Sequence, residues 1–157
     1  MAAGKIALRP VQESDNEFLL KVYGSTREQE LALVPWTAEQ KQHFVRMQWE
    51  AQKNHYAAQY PNATHEIICV ESTDAGRLYL DRSGNKFHIL DITLLPEYRN
   101  WGAGSFLLGQ IMAEAKEAGK PVSIYVETFN PSLRLFQRLG FTPIQQEGFH
   151  LLLQCAG

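Results

Sequence analysis

Apolar side chains recur along this chain with two different periods, and the changes between them mark out its elements. Lys5 to Val11 reads as a short strand closed by Pro10. Ser14 stands three residues before Glu17, the spacing of a capping box, and predicts a helix that carries Phe18, Leu19 and Val22 and ends near Gly24. The same spacing at Thr26 to Gln29 and at Thr37 to Gln40 predicts a short helix, a break at Pro35 and a longer helix burying Phe44, Met47 and Ala51. After a polar loop around Pro61 and Asn62, three β-like runs follow: Glu66 to Ser72, Gly76 to Arg82 and Lys86 to Leu95. The signals TDAG and SGN between them suit antiparallel hairpins.

Past Pro96 a helical period sets in from Gly102 to Ala118, with Ala103, Leu107, Ile111 and Ala115 on one stripe and Gly119 just beyond its end. Pro121 to Glu127 is a strand. Asn130 followed by Pro131 reads as a helix N-cap with proline at the first helical position, and that helix stops at Gly140. Two strands, Phe141 to Gln145 and Phe149 to Gln154, close the chain. The order β, α, α, β, β, β, α, β, α, β, β, without repeat or linker, predicts one α+β domain over residues 1–157. The crossover from Leu95 to Val122 predicts one parallel pair in a largely antiparallel sheet.

Composition narrows the partners. The formal charge of -2 offers no basic field for a phosphate backbone, so nucleic acid is not an expected partner. No apolar run is long enough for a membrane span and the N-terminus has no apolar leader core, which predicts a cytoplasmic protein. Two cysteines, Cys69 and Cys155, make neither a disulfide framework nor a metal cluster, although Cys155 could be an exposed thiol. No metal is expected.

LLPEYRNWGAGSFLLGQIM carries the most specific chemistry: a strand ends, and a helix starts with Gly102 and Gly104 in its first turn. Unpaired amides and the positive end of the helix dipole suit a pyrophosphate, and residues without Cβ let it approach. The glycines could instead serve only to pack the helix on the sheet. A dinucleotide fold is the rival, but its third glycine is Leu107 here and PEYRNW is too long for its tight turn. No lysine follows the glycines as a P-loop requires.

RNWGAG resembles the R/Q-x-x-G-x-G/A acyl-CoA signature of the GNAT N-acetyltransferase superfamily. DITLLPEYR before it and NPSLRLFQRLGF after it resemble that family's contiguous motifs. The resemblance implies a mixed, mostly antiparallel sheet of six to seven strands with helices on both faces, and acetyl-CoA as co-substrate. It places the pyrophosphate on the amides of Asn100, Trp101, Gly102, Ala103, Gly104 and Ser105, with Arg99 at the first motif position. Leu94 and Leu95 would hydrogen-bond the pantetheine arm and acyl carbonyl through their main chain, and Asn130 would touch the coenzyme. Phe136 stands where the family commonly has a tyrosine that protonates the departing sulfur. It would pack beside the coenzyme's apolar arm and leave the proton to water, Ser132 or Tyr125.

Amine attack on a thioester needs a neutral amine, yet a lysine-like amine with a pKa of ~10.4 is almost wholly protonated at neutral pH. His88 and Asp91 resemble the family's catalytic positions. Three residues apart, they fall on opposite faces of a regular strand and could share a site only across a bulge. Glu28, Glu30 and Glu127 could attract a cationic amine, and Trp36, Trp49, Tyr56 and Tyr60 could line its pocket. The expected activity is acetyl transfer to a primary amine of a small molecule or peptide. An acyl-CoA sensor without turnover is the alternative and a nucleotide-cofactor enzyme the lesser one. The apolar terminal strand FHLLLQC, which needs a cover, suggests a homodimer.

Overall fold

Alternating apolar positions from seven segments assemble into one sheet in the order β1-β2-β3-β4-β5-β7-β6. The computed structural model describes residues 5–99, 102–128, 130 and 132–156. The strands are β1 (Ile6–Pro10), β2 (Thr64–Val70), β3 (Thr73–Asp81), β4 (Phe87–Leu94), β5 (Val122–Glu127), β6 (Thr142–Glu147) and β7 (His150–Cys155). The helices are α1 (Asn16–Ser25), α2 (Glu28–Ala32), α3 (Ala38–Gln59), α4 (Ala103–Glu117) and α5 (Leu133–Arg138). Among the described residues only β4 and β5 pair in parallel, at either end of the α4 crossover, and the other neighbours are antiparallel.

Successive residues of one strand show the two layers. Ile67 packs with Leu19 and Tyr23 of α1 and with Val45 and Trp49 of α3. Ile68 packs with Leu107 and Ile111 of α4 and with Phe136 of α5. Each such side chain contributes roughly 1.5–3 kcal/mol by leaving water, so the helices are held by these faces more than by their own propensity. The α4 stripe is buried as its spacing predicts, and Gly119 ends the helix with a φ of 69°.

Long-range contacts moved several local features. The capping box at Thr37 and Gln40 forms, with both reciprocal hydrogen bonds. Ser14 and Thr26 do not cap a helix start: α1 follows a turn in which the Asp15 carboxylate, held by Arg9, accepts from the Gln12 amide. The Thr26 hydroxyl donates back to the Tyr23 carbonyl. On α3 the period is right and the phase wrong. Val45 and Trp49 are buried, Met47 is 56% exposed, Phe44 is half-buried and Ala51 is exposed. The face turned to the sheet is the one on which Gln52 and Tyr56 satisfy polar groups of β3 and β4.

TDAG is not the turn between β2 and β3. The chain reverses at Glu71 and Ser72, whose φ values are 51° and 65°, and the Glu71 amide and carboxylate are both tied to the Lys5 main chain. Gly76 lies inside β3 for another reason: a Cβ there would collide with the Thr93 carbonyl oxygen of β4. The terminal strand β7 is covered within the chain, between β5 and β6, so its apolar residues do not call for a second copy. Cys155, also on β7, is buried. The edge strand beside β7 is β6, exposed along its whole length.

Candidate active site

β4 and β5 are hydrogen-bonded neighbours only at their start, where Phe87, His88 and Ile89 face Val122, Ser123 and Ile124. Beyond these pairs β4 continues to Leu94 along β3, while Tyr125, Val126 and Glu127 continue along β7. A cleft therefore opens in the middle of the sheet, and α4 begins just beyond the end of β4.

Gly102 is the N-cap of α4 with a φ of 83°, a conformation that favours glycine. Among the described residues no side chain caps the helix, so the amides of its first turn, on Ala103, Gly104 and Ser105, present donors to a ligand. A Cβ on Gly104 would meet no heavy atom within 4 Å. Packing therefore does not require glycine at this position, and the space stands open beside the amides. Asn100 and Trp101, the other two expected phosphate contacts, lie outside the described residues.

The main chain of β4 separates Leu94 from Leu95. The Leu95 amide donates to the Ala75 carbonyl at 2.8 Å and its carbonyl accepts from the Tyr98 amide at 2.9 Å. Leu95 is thus committed to β3 and to the following turn, against the expectation that it contacts the coenzyme arm. Antiparallel ladders alternate bonded and non-bonded pairs, which turns the main chain of Ile92 and Leu94 to the cleft. The Leu94 carbonyl accepts from Arg99 Nε at 3.0 Å, so Leu94 offers its amide. Ile92 is a cleft-facing position that sequence spacing did not single out.

On the α5 side, Asn130 is not the N-cap. Its Oδ1 accepts from the Ser132 amide at 2.7 Å and Ser132 caps α5, an Asx turn just before the helix. Phe136 is 4% exposed in the α4-side core, with its ring edge-on to Phe141 at 5.7 Å. It belongs to the core rather than lying open beside a coenzyme arm. Of the hydroxyl candidates, Ser132 is exposed and Tyr125 is 53% exposed.

A bulge in β4 decides how His88 and Asp91 stand. Tyr79 faces Asp91 and Leu80 faces Ile89, leaving Leu90 as an extra residue. Ile89 and Ile92 both enter the α4-side core, while His88 and Asp91 both turn to α3. His88 stacks on Tyr60, just past α3, at 5.7 Å, and its Nδ1 lies 2.8 Å from Ser123 Oγ. Burial, with Lys86 nearby, pushes its pKa down to about 4, so the ring is neutral at ordinary pH.

Asp91 is differently placed. One carboxylate oxygen accepts from Arg77 Nε at 2.5 Å and the other from the Thr93 hydroxyl at 2.6 Å. Arg77 is 2% exposed and also donates to Gln52 Oε1 of α3 at 2.6 Å. The Tyr56 hydroxyl donates to the carbonyl of the bulged Leu90 at 3.2 Å, and burial, with the charge of Asp91, pushes its pKa up to about 12. Asp91 is thus the anchor of a part-buried polar network, and each of its oxygens already carries one hydrogen bond. Sequence reasoning misses this role for Arg77, Gln52 and Tyr56. The signal for it is a charged residue inside an apolar run and polar groups four apart on α3.

The remaining candidates divide. Glu30 and Glu127 share Arg27, at 3.3 and 3.8 Å, which offsets the negative charge expected to draw a cationic amine. Trp49 is core, and Trp36 packs edge-on to Phe44. A cleft of about 770 Å³ lies between α1, α2 and the first half of α3, and no residue of β4 or α4 lines it. Among the described residues no group of His, Cys, Asp and Glu is arranged to hold a metal, and no helix is long and apolar enough to cross a membrane.

Residues 25–141 match the acetyltransferase (GNAT) family, and the chain belongs to that family. PaiA N-acetyltransferase from Thermoplasma acidophilum, solved in complex with coenzyme A, has a TM-score of 0.74 at 20% identity, over 98% of this chain and 99% of its own. An acetyltransferase of the GNAT family from Staphylococcus aureus Mu50 has a TM-score of 0.68 at 14% identity, over 97% and 99%. A ribosomal-protein-alanine N-acetyltransferase from Escherichia coli has a TM-score of 0.65 at 13% identity, over 97% and 94%. At such identities these structures share the fold. No curated protein matches the chain by sequence.

Proposed function

We propose that this protein transfers an acetyl group from acetyl-CoA to a primary amine of a small molecule or peptide, by direct attack of the amine on the thioester. The observation that carries the reading is the parting of β4 and β5 after Ile89 and Ile124, with an uncapped helix start and the open space of Gly104 beyond it. The amides of Ala103, Gly104 and Ser105 take the pyrophosphate, together with Asn100, Trp101 and Gly102 of the same turn, and Arg99 flanks it. Leu94 holds the pantetheine arm through its amide, and the Ile92 amide supports the thioester oxygen as charge develops on it. Asn130 flanks the arm from the α5 side. That PaiA N-acetyltransferase was solved with coenzyme A supports this placement.

The neutral amine forms a C–N bond to the thioester carbon, the C–S bond breaks, and coenzyme A leaves as a thiolate. His88 takes the proton that nitrogen sheds, because nitrogen becomes far more acidic once it carries charge in the adduct than it is as a free ammonium. Asp91, with both oxygens committed, holds the bulge through Arg77. Phe136 has no proton to give. A thiol ordinarily ionises near pH ~8.5, so the thiolate leaves without help and is protonated by water or Tyr125. A cytoplasmic location, where acetyl-CoA is at hand, goes with this reading.

Phenylalanine at the tyrosine position also favours a second reading, an acyl-CoA sensor. Thiol release with acetyl-CoA and a panel of primary amines separates the two. Turnover on at least one amine is expected, whereas tight acetyl-CoA binding with no thiol release on any amine would establish the sensor.

A further inference from the structure

Ser123 is a hydroxyl within an otherwise apolar stretch of β5. Val122, Ile124 and Val126 enter the α4-side core, while Ser123, fully buried, lies on the opposite face beside its register partner His88. A buried hydroxyl is destabilising if left without a partner, and this one meets His88 Nδ1 at 2.8 Å.

We infer that Ser123 is a positioning residue for the transfer reaction: it holds the proton of neutral His88 on Nδ1, so that the lone pair of Nε2 is turned to the acceptor amine. The inference rests on the reading of His88 as the base.

Three observations support it. His88 has its ring plane fixed on both sides, stacked on Tyr60 at 5.7 Å and edge-on to Tyr125 at 5.4 Å, so the ring cannot exchange its nitrogens without unpacking. A hydrogen bond to the Ser123 backbone favours the protonated form of the ring, and a main-chain carbonyl can only accept. The Ser123 hydroxyl, 2.8 Å from Nδ1, can accept from an Nδ1–H, the arrangement that leaves the lone pair on Nε2. The charged and titratable groups around the ring are Lys86 of the same chain turn, Asp81 of β3, Tyr60 and Tyr125. Lys86 disfavours an imidazolium and Asp81 favours one, and burial outweighs both. A neutral imidazole with the wrong nitrogen protonated cannot accept the amine proton, and a wrong tautomer is a severe defect in histidine-dependent catalysis.

The experiment is ¹⁵N NMR of the His88 ring in the full chain, wild type and Ser123→Ala, beside kcat and the acetyl-CoA Kd of both, with Ser123→Thr and His88→Ala as controls. The wild-type ring is expected in the Nδ1–H form. Ser123→Ala is expected to move it toward the Nε2–H form and lower kcat roughly ten- to a hundredfold, with Kd changed less than about twofold, and Ser123→Thr to restore most of the rate. A wild-type ring protonated on Nε2 overturns the inference whether or not the variants fold. So does a Ser123→Ala protein that turns over at the wild-type rate. If His88→Ala itself keeps the wild-type rate, the base reading fails as well, and the persisting turnover without an imidazole distinguishes that failure from the others.

Discussion

His88 and Asp91 turn to the same face of β4 although three positions separate them, because Leu90 is an extra residue against β3. Their surroundings make them unequal. The His88 ring is neutral and meets one hydroxyl, while Asp91 is tied to Arg77 and Thr93. His88→Ala is therefore expected to lower kcat by about 10² with little change in acetyl-CoA affinity. Asp91→Asn is expected to act first on stability, by about 3 kcal/mol, because the buried Arg77 loses its counterion. Steady-state kinetics beside urea denaturation separates the two. An Asp91→Asn protein of wild-type stability and strongly reduced kcat would return the base role to Asp91.

Gly104→Glu places a carboxylate beside the α4 amides, at a position where an added Cβ meets no other part of the described residues within 4 Å. The fold should survive, with a melting temperature within a few degrees of wild type, and acetyl-CoA binding by titration calorimetry should be lost, since the new charge repels a pyrophosphate. Binding at wild-type affinity by the folded variant would place the phosphate site elsewhere.

Phe136→Tyr tests what the missing hydroxyl is worth. The ring is packed against Phe141 in the core, so a hydroxyl added there has to find a partner or costs about 1–3 kcal/mol. The rate is expected to change by less than tenfold in either direction. A gain of several hundredfold over a near-inactive wild type would show that a proton donor at this position limits the reaction.

Two histidines, buried His88 and half-buried His65, set a pH window for stability. Burial pushes His65 to about 4, as it does His88, against an ordinary value near 6.5 in the unfolded chain. Between these values the unfolded state takes up protons that the folded state refuses. Their contribution is full above about pH 6.5, declines as pH falls to about 4, and does not change further below it. The melting temperature should fall across that interval, and His65→Phe should flatten the decline. A wild-type melting temperature that is constant between pH 6.5 and 4 would contradict the neutral state of both rings.

What the sequence determined by itself is what depends on neighbours along the chain. The order of elements, the α4 stripe, the stops at Gly119 and Gly140, the α3 capping box and the glycine turn of the acyl-CoA motif are local arrangements of propensity, capping and period. Residues 102–119 alone suffice to find α4, its buried stripe and its stop. The tertiary structure decided whatever required two distant segments to meet. Arg9 reached Asp15 and removed the cap expected at Ser14. Gly76 has the composition of a turn around it, but glycine is required there because β4 passes against it. The phase of α3 followed from Gln52 and Tyr56 finding buried partners on β3 and β4. Spacing states the bulge at Leu90 only as a condition for His88 and Asp91 to share a face. Whether it forms depends on the register with β3 and on the Tyr56 hydroxyl that meets the Leu90 carbonyl. Spacing along one strand carries no record of the strand beside it. For that reason the glycine turn before α4 was legible in the sequence, and the different surroundings of His88, Asp91 and Ser123 were not.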